Sequence, residues 1–244
     1  MTRELGVDYL VVGAAARDLV LWFGYGGAVG RATADLDVAV AVASWQTYES
    51  LTSRFPHRTG DPAHRLRITG MPVDIVPFGG VERPDRTIAW PPDGHSVMST
   101  FGMAEALADA IEVRLDTDLR CKVASLPAQV ILKLTAWGER GVDRPRHDSA
   151  DIAVLLRSYS EDWNLDRLYG DAALLEQFDF DAELAGAALL GRDVARLVGT
   201  GGGRLVSLLS GDLNGAGLLP YDMPGRTDQN RARRAAFLRG LISG

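Results

Sequence analysis

The residues most suited to chemistry are two aspartates in the segment Thr33-Ala34-Asp35-Leu36-Asp37-Val38-Ala39-Val40. Successive side chains of a strand point to opposite faces, so Asp35 and Asp37 project to the same side. Two adjacent carboxylates repel each other and contribute nothing to packing. A divalent cation such as Mg²⁺ compensates such a pair, together with the phosphates of a substrate. The pair therefore predicts chemistry on a nucleotide.

A third carboxylate, Asp74, lies in the apolar segment Pro72-Val73-Asp74-Ile75-Val76-Pro77-Phe78. An aspartate in so apolar a strand loses hydration energy unless a partner compensates it. If this strand neighbours the first, Asp74 shares a metal ion with Asp35 and Asp37 and takes the proton from an attacking hydroxyl. The alternative is that Asp74 lies on the solvent face of an edge strand.

A turn of small residues precedes the aspartate pair, in the segment Val12-Gly13-Ala14-Ala15-Ala16-Arg17-Asp18. Where a strand turns into a helix, small residues let backbone N–H groups approach a phosphate. Gly13 and Ala14 are small enough for this. Small residues at such turns more often serve close packing, so the turn gains its value from its distance to the aspartate pair.

These motifs, with a later segment from Leu126-Pro127 to Asp151-Ile152, resemble those of the nucleotidyltransferase superfamily of the DNA polymerase beta type. Within it they are most similar to bacterial AbiEii-like nucleotidyltransferase toxins, over about residues 7 to 157. The resemblance implies that Asp35, Asp37 and Asp74 are catalytic and bind Mg²⁺ or Mn²⁺, with an NTP as substrate. It also implies that nucleotide is bound by Gly13, Ala14, Arg17, Thr33, Lys133, Asp148 and Asp151.

Two positions depart from the family pattern. The first motif usually has Gly-Gly or Gly-Ser where this chain has Gly13-Ala14, so backbone N–H groups replace a serine hydroxyl at the phosphate. The later segment often has Lys-Asp where this chain has His147-Asp148, which leaves open whether a cation contacts the nucleotide there.

Lys133 lies beside an apolar helical stripe that ends at Trp137. The resemblance implies that Lys133 approaches the triphosphate. It also implies that Asp148 and Asp151, three residues apart on one helical face, hold the nucleotide or the Lys133 side chain. The alternatives are a surface lysine whose stem covers apolar surface and two aspartates at the positive end of a helix.

Strand-like apolar runs prevail before Leu126 and helical periodicity prevails after it. This predicts an α+β protein, with a nucleotidyltransferase domain over residues 1–125 and a helical domain over residues 126–244. The first domain contains a mixed sheet flanked by helices. A hairpin is predicted from Arg65–Thr69 and Val73–Phe78 through Gly70-Met71-Pro72, whereas the polar stretch Glu82–Gly94 is expected outside the core.

The composition restricts the remaining function classes. The 244 residues carry a net charge of -6, which does not favour nucleic-acid or membrane binding by bulk charge. The single cysteine, Cys121, fits a reducing compartment, and we expect a cytoplasmic protein without a signal peptide or a membrane span.

Basic residues form two short clusters and a C-terminal amphipathic helix. The clusters contact the phosphates of a nucleotide or of an RNA acceptor, or are solvated faces. The helix is expected to dock on the chain's own acidic segment, with RNA or a partner as the alternatives; that segment contains Asp171, Glu176, Asp179, Asp181 and Glu183. The clusters are Arg54, His57, Arg58, His64, Arg65 and Arg67, and Arg140, Arg144, Arg146 and His147; the helix carries Arg226, Arg231, Arg233, Arg234 and Arg239.

The leading hypothesis is a metal-dependent enzyme that moves an NMP from an NTP to an acceptor, with a tRNA 3′ end or a protein hydroxyl favoured. The resemblance to toxins adds a cognate antitoxin as a partner. The alternatives are a non-catalytic nucleotide-binding or antitoxin-like interaction module, and a nucleotidyltransferase that modifies a small molecule such as an antibiotic.

Overall fold

The computed structural model describes residues 6–26, 35–58, 60–140, 146–210 and 219–244. The chain divides into two compact units, residues 1–125 and residues 126–244. The first contains a mixed six-stranded sheet with helices and the second is mostly helical, which confirms the predicted α+β class. Within the described residues, no helix has the length and apolar character needed to cross a membrane.

The sheet of the N-terminal unit has the strand order β3-β4-β2-β1-β8-β7. Strand β2 runs parallel to β4 and antiparallel to β1, so the two strands that carry the predicted carboxylates are neighbours. The elements are β1 Asp8–Val12, α1 Gly13–Asp18 with a π-helical continuation Leu19–Gly24, β2 Leu36–Val42, α2 Trp45–Thr52, β3 Arg65–Ile68, β4 Met71–Gly79, β5 Thr87–Ala89, β6 Val97–Ser99, α3 Met103–Ala108, β7 Ile111–Arg114 and β8 Arg120–Val123.

Helix α2 begins at Trp45, where the side chain of the preceding Ser44 caps it by accepting a hydrogen bond of 3.3 Å from the Thr47 N–H. The prediction that Glu82–Gly94 lies outside the core is partly wrong, because Ile88 on β5 and Trp90 after it are buried. The Trp90 ring packs against those of Trp45 and Tyr48, with centroids 5.5 and 5.8 Å apart. A short strand pair, β5 with β6, supplies the backbone partners that a buried segment needs.

The predicted hairpin exists, but its turn is Thr69-Gly70 rather than Gly70-Met71-Pro72. Both turn residues have positive φ, 51° and 84°, as a two-residue hairpin turn that matches the strand twist requires. Strand β4 therefore begins at Met71, and Arg65 becomes the cross-strand partner of Asp74.

Two long helices pack closely in the C-terminal unit. A Cβ on Gly240 would overlap the Ala188 carbonyl oxygen, and one on Gly191 would overlap that of Phe237. Arg233 also donates to Glu183, which supports docking of the C-terminal helix on the chain's own acidic segment. The elements are α4 Leu126–Glu139, α5 Arg146–Ser158, a 3-10 turn Asp162–Asn164, α6 Leu165–Tyr169, α7 Ala172–Glu176, α8 Ala182–Val198, a 3-10 turn Gly199–Gly201, α9 Gly202–Ser210, α10 Leu219–Asp222 and α11 Thr227–Ser243.

Replacing Gly240 by alanine should separate α8 from α11 and lower the free energy of unfolding by about 1–3 kcal/mol, the usual effect of overpacking. Chemical denaturation measures the change. Gly203→Ala is the matched control, because apart from its chain neighbours and the backbone of its own helix no described atom lies within 4 Å of its Cβ position. That helical substitution should be neutral or stabilising. Equal destabilisation by both variants would contradict the close packing.

Candidate active site

The three predicted catalytic aspartates lie together in the N-terminal unit. Asp37 on β2 is the register partner of Asp74 on β4, so the two side chains are neighbours on one face of the sheet. Asp35 precedes β2, and its Oδ2 lies 3.2 Å from the same Arg65 Nη2 that is 2.7 Å from Asp74 Oδ2. We call Asp35, Asp37 and Asp74 the carboxylate cluster. The edge-strand alternative for Asp74 is wrong, because β4 lies inside the sheet and Asp74 is only 8% exposed.

Gly13 lies directly against Asp37. Its φ is +69°, and the preceding residue, Val12, is the register partner of Asp37 across β1 and β2. A Cβ on Gly13 would overlap Oδ2 of Asp37 and would lie 2.8 Å from its Cγ. Both the backbone conformation and the close approach therefore require glycine at this strand-to-helix turn. Ala14 follows as the second residue of α1.

Arg17 and Thr33 are the two other residues near this turn that were predicted to bind nucleotide. The Arg17 side chain is buried, and its Nε and Nη2 donate to Asp18 Oδ1 at 2.9 and 2.7 Å. The Arg17 guanidinium, which the resemblance assigns to the nucleotide, thus contacts the Asp18 carboxylate of the same chain. Nucleotide binding by Arg17 stays a prediction. Thr33 lies outside the described residues.

Arg65 is the member of the site that the motifs did not single out. Its Nε and Nη2 donate to the two Asp74 oxygens, each at 2.7 Å, and Nη2 also donates to Asp35. The hydrogen bonds to Asp74 raise the pKa of Arg65 above its ordinary value against the opposing effect of burial. A two-residue turn at Thr69-Gly70 fixes the pairing of Arg65 with Asp74. This turn is the feature of the sequence from which the pairing could have been predicted.

Two further polar side chains surround Asp74. The Tyr48 hydroxyl donates to the Ile75 carbonyl at 2.8 Å, and burial, helped by the Asp74 charge, raises the pKa of Tyr48. His64 Nε2 lies 3.8 Å from Asp74 Oδ2. Burial lowers the pKa of His64 more than the Asp74 carboxylate raises it. Both side chains are therefore neutral near pH 7, so the positive charge beside Asp74 comes from Arg65.

The donor chemistry of the carboxylate cluster fits a divalent cation, because carboxylate oxygens are the ligands that Mg²⁺ and Mn²⁺ prefer. Within the described ranges, however, no three His, Cys, Asp or Glu side chains form a group arranged to hold a metal ion. The guanidinium of Arg65 holds two of the three carboxylates instead. The three carboxylates are thus chemically suitable as metal ligands, but in this structure the guanidinium of Arg65 neutralises two of them.

The second predicted group, in the C-terminal unit, is also assembled. Lys133 on α4 lies 2.7 Å from Asp151 Oδ2 and 3.2 Å from Asp148 Oδ1, and both aspartates are on α5. Arg140 donates to Asp148 Oδ2 at 2.6 Å. The two aspartates therefore hold the Lys133 side chain, which is 18% exposed and is not a surface lysine. Nucleotide binding by Lys133, Asp148 and Asp151 stays a prediction.

Burial of Lys133 acts to lower its pKa, but the Asp151 and Asp148 carboxylates outweigh burial and the pKa is raised. Its ammonium is therefore charged at neutral pH. The stabilisation from a raised pKa is complete below the pKa of the unfolded chain and is lost only as the pH rises through the higher value of the folded protein.

The strand-to-helix turn at Gly13 lies beside Asp37, and the parallel register of β2 and β4 brings Asp37 beside Asp74. A family model described as "Nucleotidyl transferase AbiEii toxin, Type IV TA system" matches residues 5–240. The chain belongs to this family, so it is a transferase from a family of toxins of type IV toxin–antitoxin systems. The match includes the C-terminal helices, to which no sequence motif was assigned. No curated protein matches the chain.

Gly13→Ala should displace the Asp37 carboxylate and reduce nucleotidyl transfer by about tenfold or more, the rate equivalent of about 1.4 kcal/mol. Transfer of label from an α-labelled NTP and the thermal unfolding midpoint measure the two effects. Gly26→Ala is the control, since Gly26 has nearly the same φ, +72°, and apart from its chain neighbours no described atom lies within 4 Å of its Cβ position. Equal losses of transfer in both variants would show that backbone strain, and not the contact with Asp37, is responsible.

Lys133→Met should leave Asp148 and Asp151 buried without their ammonium and destabilise the fold by about 3–5 kcal/mol. Urea denaturation at pH 7 measures this. Lys122→Met, which removes an exposed pair with Asp8, should change stability by less than about 1 kcal/mol. Adding Asp151→Asn to Lys133→Met should restore part of the loss. A Lys133→Met protein as stable as the wild type would exclude a structural role for this group.

Proposed function

We propose that this protein transfers a nucleoside monophosphate from an NTP to an acceptor hydroxyl and releases pyrophosphate, with the carboxylate cluster as its metal-binding and catalytic site. The observation that supports this most directly is the register of β2 and β4, which makes Asp37 and Asp74 neighbours. Gly13 supports it independently, because it brings a strand-to-helix turn against the same carboxylate.

The three members of the cluster share one role in the proposed reaction, and Asp74 has a second. Asp35, Asp37 and Asp74 would hold Mg²⁺ or Mn²⁺, which supplies charge neutralisation at the phosphates and polarisation of the acceptor oxygen. Asp74 takes the proton of the acceptor hydroxyl. The acceptor oxygen forms a bond to the α-phosphorus, the bond from that phosphorus to the bridging oxygen breaks, and pyrophosphate carries away the electron pair.

Phosphate binding is assigned to the backbone N–H groups at Gly13 and Ala14, the small-residue start of α1. Arg17 and Thr33 remain in the proposal as nucleotide-binding residues on the resemblance alone. In the C-terminal unit, Lys133 is proposed to bind nucleotide, and Asp148 and Asp151 act by positioning its ammonium.

We favour an RNA acceptor, the tRNA 3′ end, over a protein hydroxyl. Arg54, His57 and Arg58 are exposed. The Pro56 carbonyl between them accepts a 3.0 Å hydrogen bond from the Arg67 N–H, which fixes this segment beside β3. Exposed basic side chains near the strand that carries Arg65 suit the phosphates of a polynucleotide.

Membership of a toxin family also supports a cognate antitoxin as the protein partner.

Asp37→Asn should reduce transfer by about 10²–10⁴-fold, because metal-assisted charge stabilisation contributes several kcal/mol to the transition state and each 1.36 kcal/mol is tenfold. The assay incubates the protein with α-labelled NTPs and Mg²⁺ in a host lysate and follows label in RNA and protein gels. Asp118→Asn, in the exposed loop between β7 and β8, is the control and should keep full activity.

Label in tRNA that depends on Asp37 would support the proposal as stated. Label in a protein would keep the reaction and replace the acceptor. Undiminished transfer by Asp37→Asn would contradict the assignment of the carboxylate cluster as the catalytic site.

A further inference from the structure

Arg65 holds the oxygens that a divalent cation would need. It donates to both Asp74 oxygens at 2.7 Å and to Asp35 Oδ2 at 3.2 Å, so one guanidinium bridges two of the three carboxylates. Paired N–H donors facing a carboxylate are the strongest common form of hydrogen-bonded ion pair. A guanidinium and a metal ion at this position also repel each other. The two cations therefore compete for the same ligands.

We propose that Arg65 is a displaceable counter-ion, which neutralises Asp35 and Asp74 in the resting protein and must leave them when a divalent cation binds. This inference rests on the proposed function of the carboxylate cluster. It makes Arg65 a positioning residue: its departure frees the Asp74 oxygens, which can then accept the acceptor proton. Metal binding and activation of the base thereby become one event.

The position of Arg65 allows this displacement. Strand β3 is at the edge of the sheet, and the Arg65 side chain is 31% exposed, so the guanidinium can leave without opening the core. The side chain is long and flexible, and its release therefore requires no movement of the β3 backbone.

Asp61 is placed to receive the released guanidinium. Arg65 and Arg67 are two residues apart on β3, so their side chains leave the strand on the same face, and Asp61 contacts Arg67 there. Asp61 Oδ2 forms an ion pair with Arg67 at 3.7 Å but, among the described residues, has no hydrogen-bond partner although it is shielded from solvent. A buried carboxylate oxygen without a donor gains from an N–H group that moves to it. Asp61 thus offers Arg65 a second carboxylate once the metal ion takes the first two.

The test measures Mn²⁺ binding to the 244-residue chain without nucleotide, from the electron paramagnetic resonance signal of free Mn²⁺. Arg65→Gln should bind Mn²⁺ about tenfold more tightly than the wild type, equivalent to about 1.4 kcal/mol. Arg65→Lys keeps the charge but loses the paired donors, so its Mn²⁺ affinity should fall between those of the wild type and Arg65→Gln. Arg120→Gln removes the same charge from an exposed pair with Glu112 and should change the affinity by less than about twofold.

Thermal unfolding gives a second readout that does not depend on activity. Without metal, Arg65→Gln should unfold at a lower temperature than the wild type, because Asp74 loses its only described charge-assisted donor. Mn²⁺ should raise the unfolding temperature of Arg65→Gln more than that of the wild type. This comparison holds even where the variant is substantially destabilised, provided that a cooperative transition remains. Arg65→Lys supplies the same comparison in a milder background.

Asp61 is tested by a double-mutant cycle. Asp61→Asn should weaken Mn²⁺ binding severalfold in the wild type and have no effect in the Arg65→Gln background. Equal effects in both backgrounds would overturn the role of Asp61.

The outcomes separate this inference from the proposed function. Mn²⁺ binding that requires Asp37 but is no tighter in Arg65→Gln would overturn the inference and leave the metal site intact. No Asp37-dependent binding in any variant would contradict the proposed metal site itself and the inference with it.

Discussion

Repulsion among Asp35, Asp37 and Asp74 is the constraint on which the N-terminal unit depends. Asp74 is only 8% exposed, and the register of β2 and β4 makes Asp37 its neighbour, so the chain needs positive charge at this point of the sheet. Arg65 supplies that charge with two 2.7 Å hydrogen bonds to Asp74 and one bond to Asp35. The compensating cation, Arg65, belongs to the chain itself but lies on the edge strand β3, a position at which an external cation can replace it.

Backbone geometry fixes the cluster as firmly as charge does. Gly13 has a positive φ and lies so close to Asp37 that any side chain would displace the carboxylate. The turn at Thr69-Gly70 sets the register that brings Arg65 opposite Asp74. The turn at Gly13 thus places the Asp37 carboxylate, and the turn at Thr69-Gly70, more than fifty residues later, places the Arg65 guanidinium opposite Asp74.

The group around Lys133 shows the other way to compensate buried carboxylates. Asp148 and Asp151 hold an ammonium whose side chain is only 18% exposed, and Arg140 adds a further hydrogen bond to Asp148. Burial opposes the charge on Lys133, but the two carboxylates raise its pKa. Separation of these charges is costly, so this group is suited to holding a cation in a fixed place. Arg65, on its exposed edge, is suited to moving.

The sequence by itself determined the α+β class, the strand β2, the three aspartates of the carboxylate cluster, and Lys133 with its two aspartates. These features depend on local patterns: alternation in a strand, helical periodicity, and residue types whose chemistry has few other uses in an apolar segment. The resemblance that led to the nucleotidyltransferase prediction rested on the same short motifs, and the family match over residues 5–240 confirmed it.

Only the tertiary structure decided how charge is compensated within those groups. The sequence placed Arg65 in a basic cluster, whereas the structure pairs it with Asp74. Arg17, which the resemblance assigns to the nucleotide, contacts Asp18 in the structure. It also buried Ile88 and Trp90 in a stretch whose polar residues predicted exposure. The reason is physical: a guanidinium selects a partner by distance and burial, and these follow from strand register and packing between residues far apart in the chain.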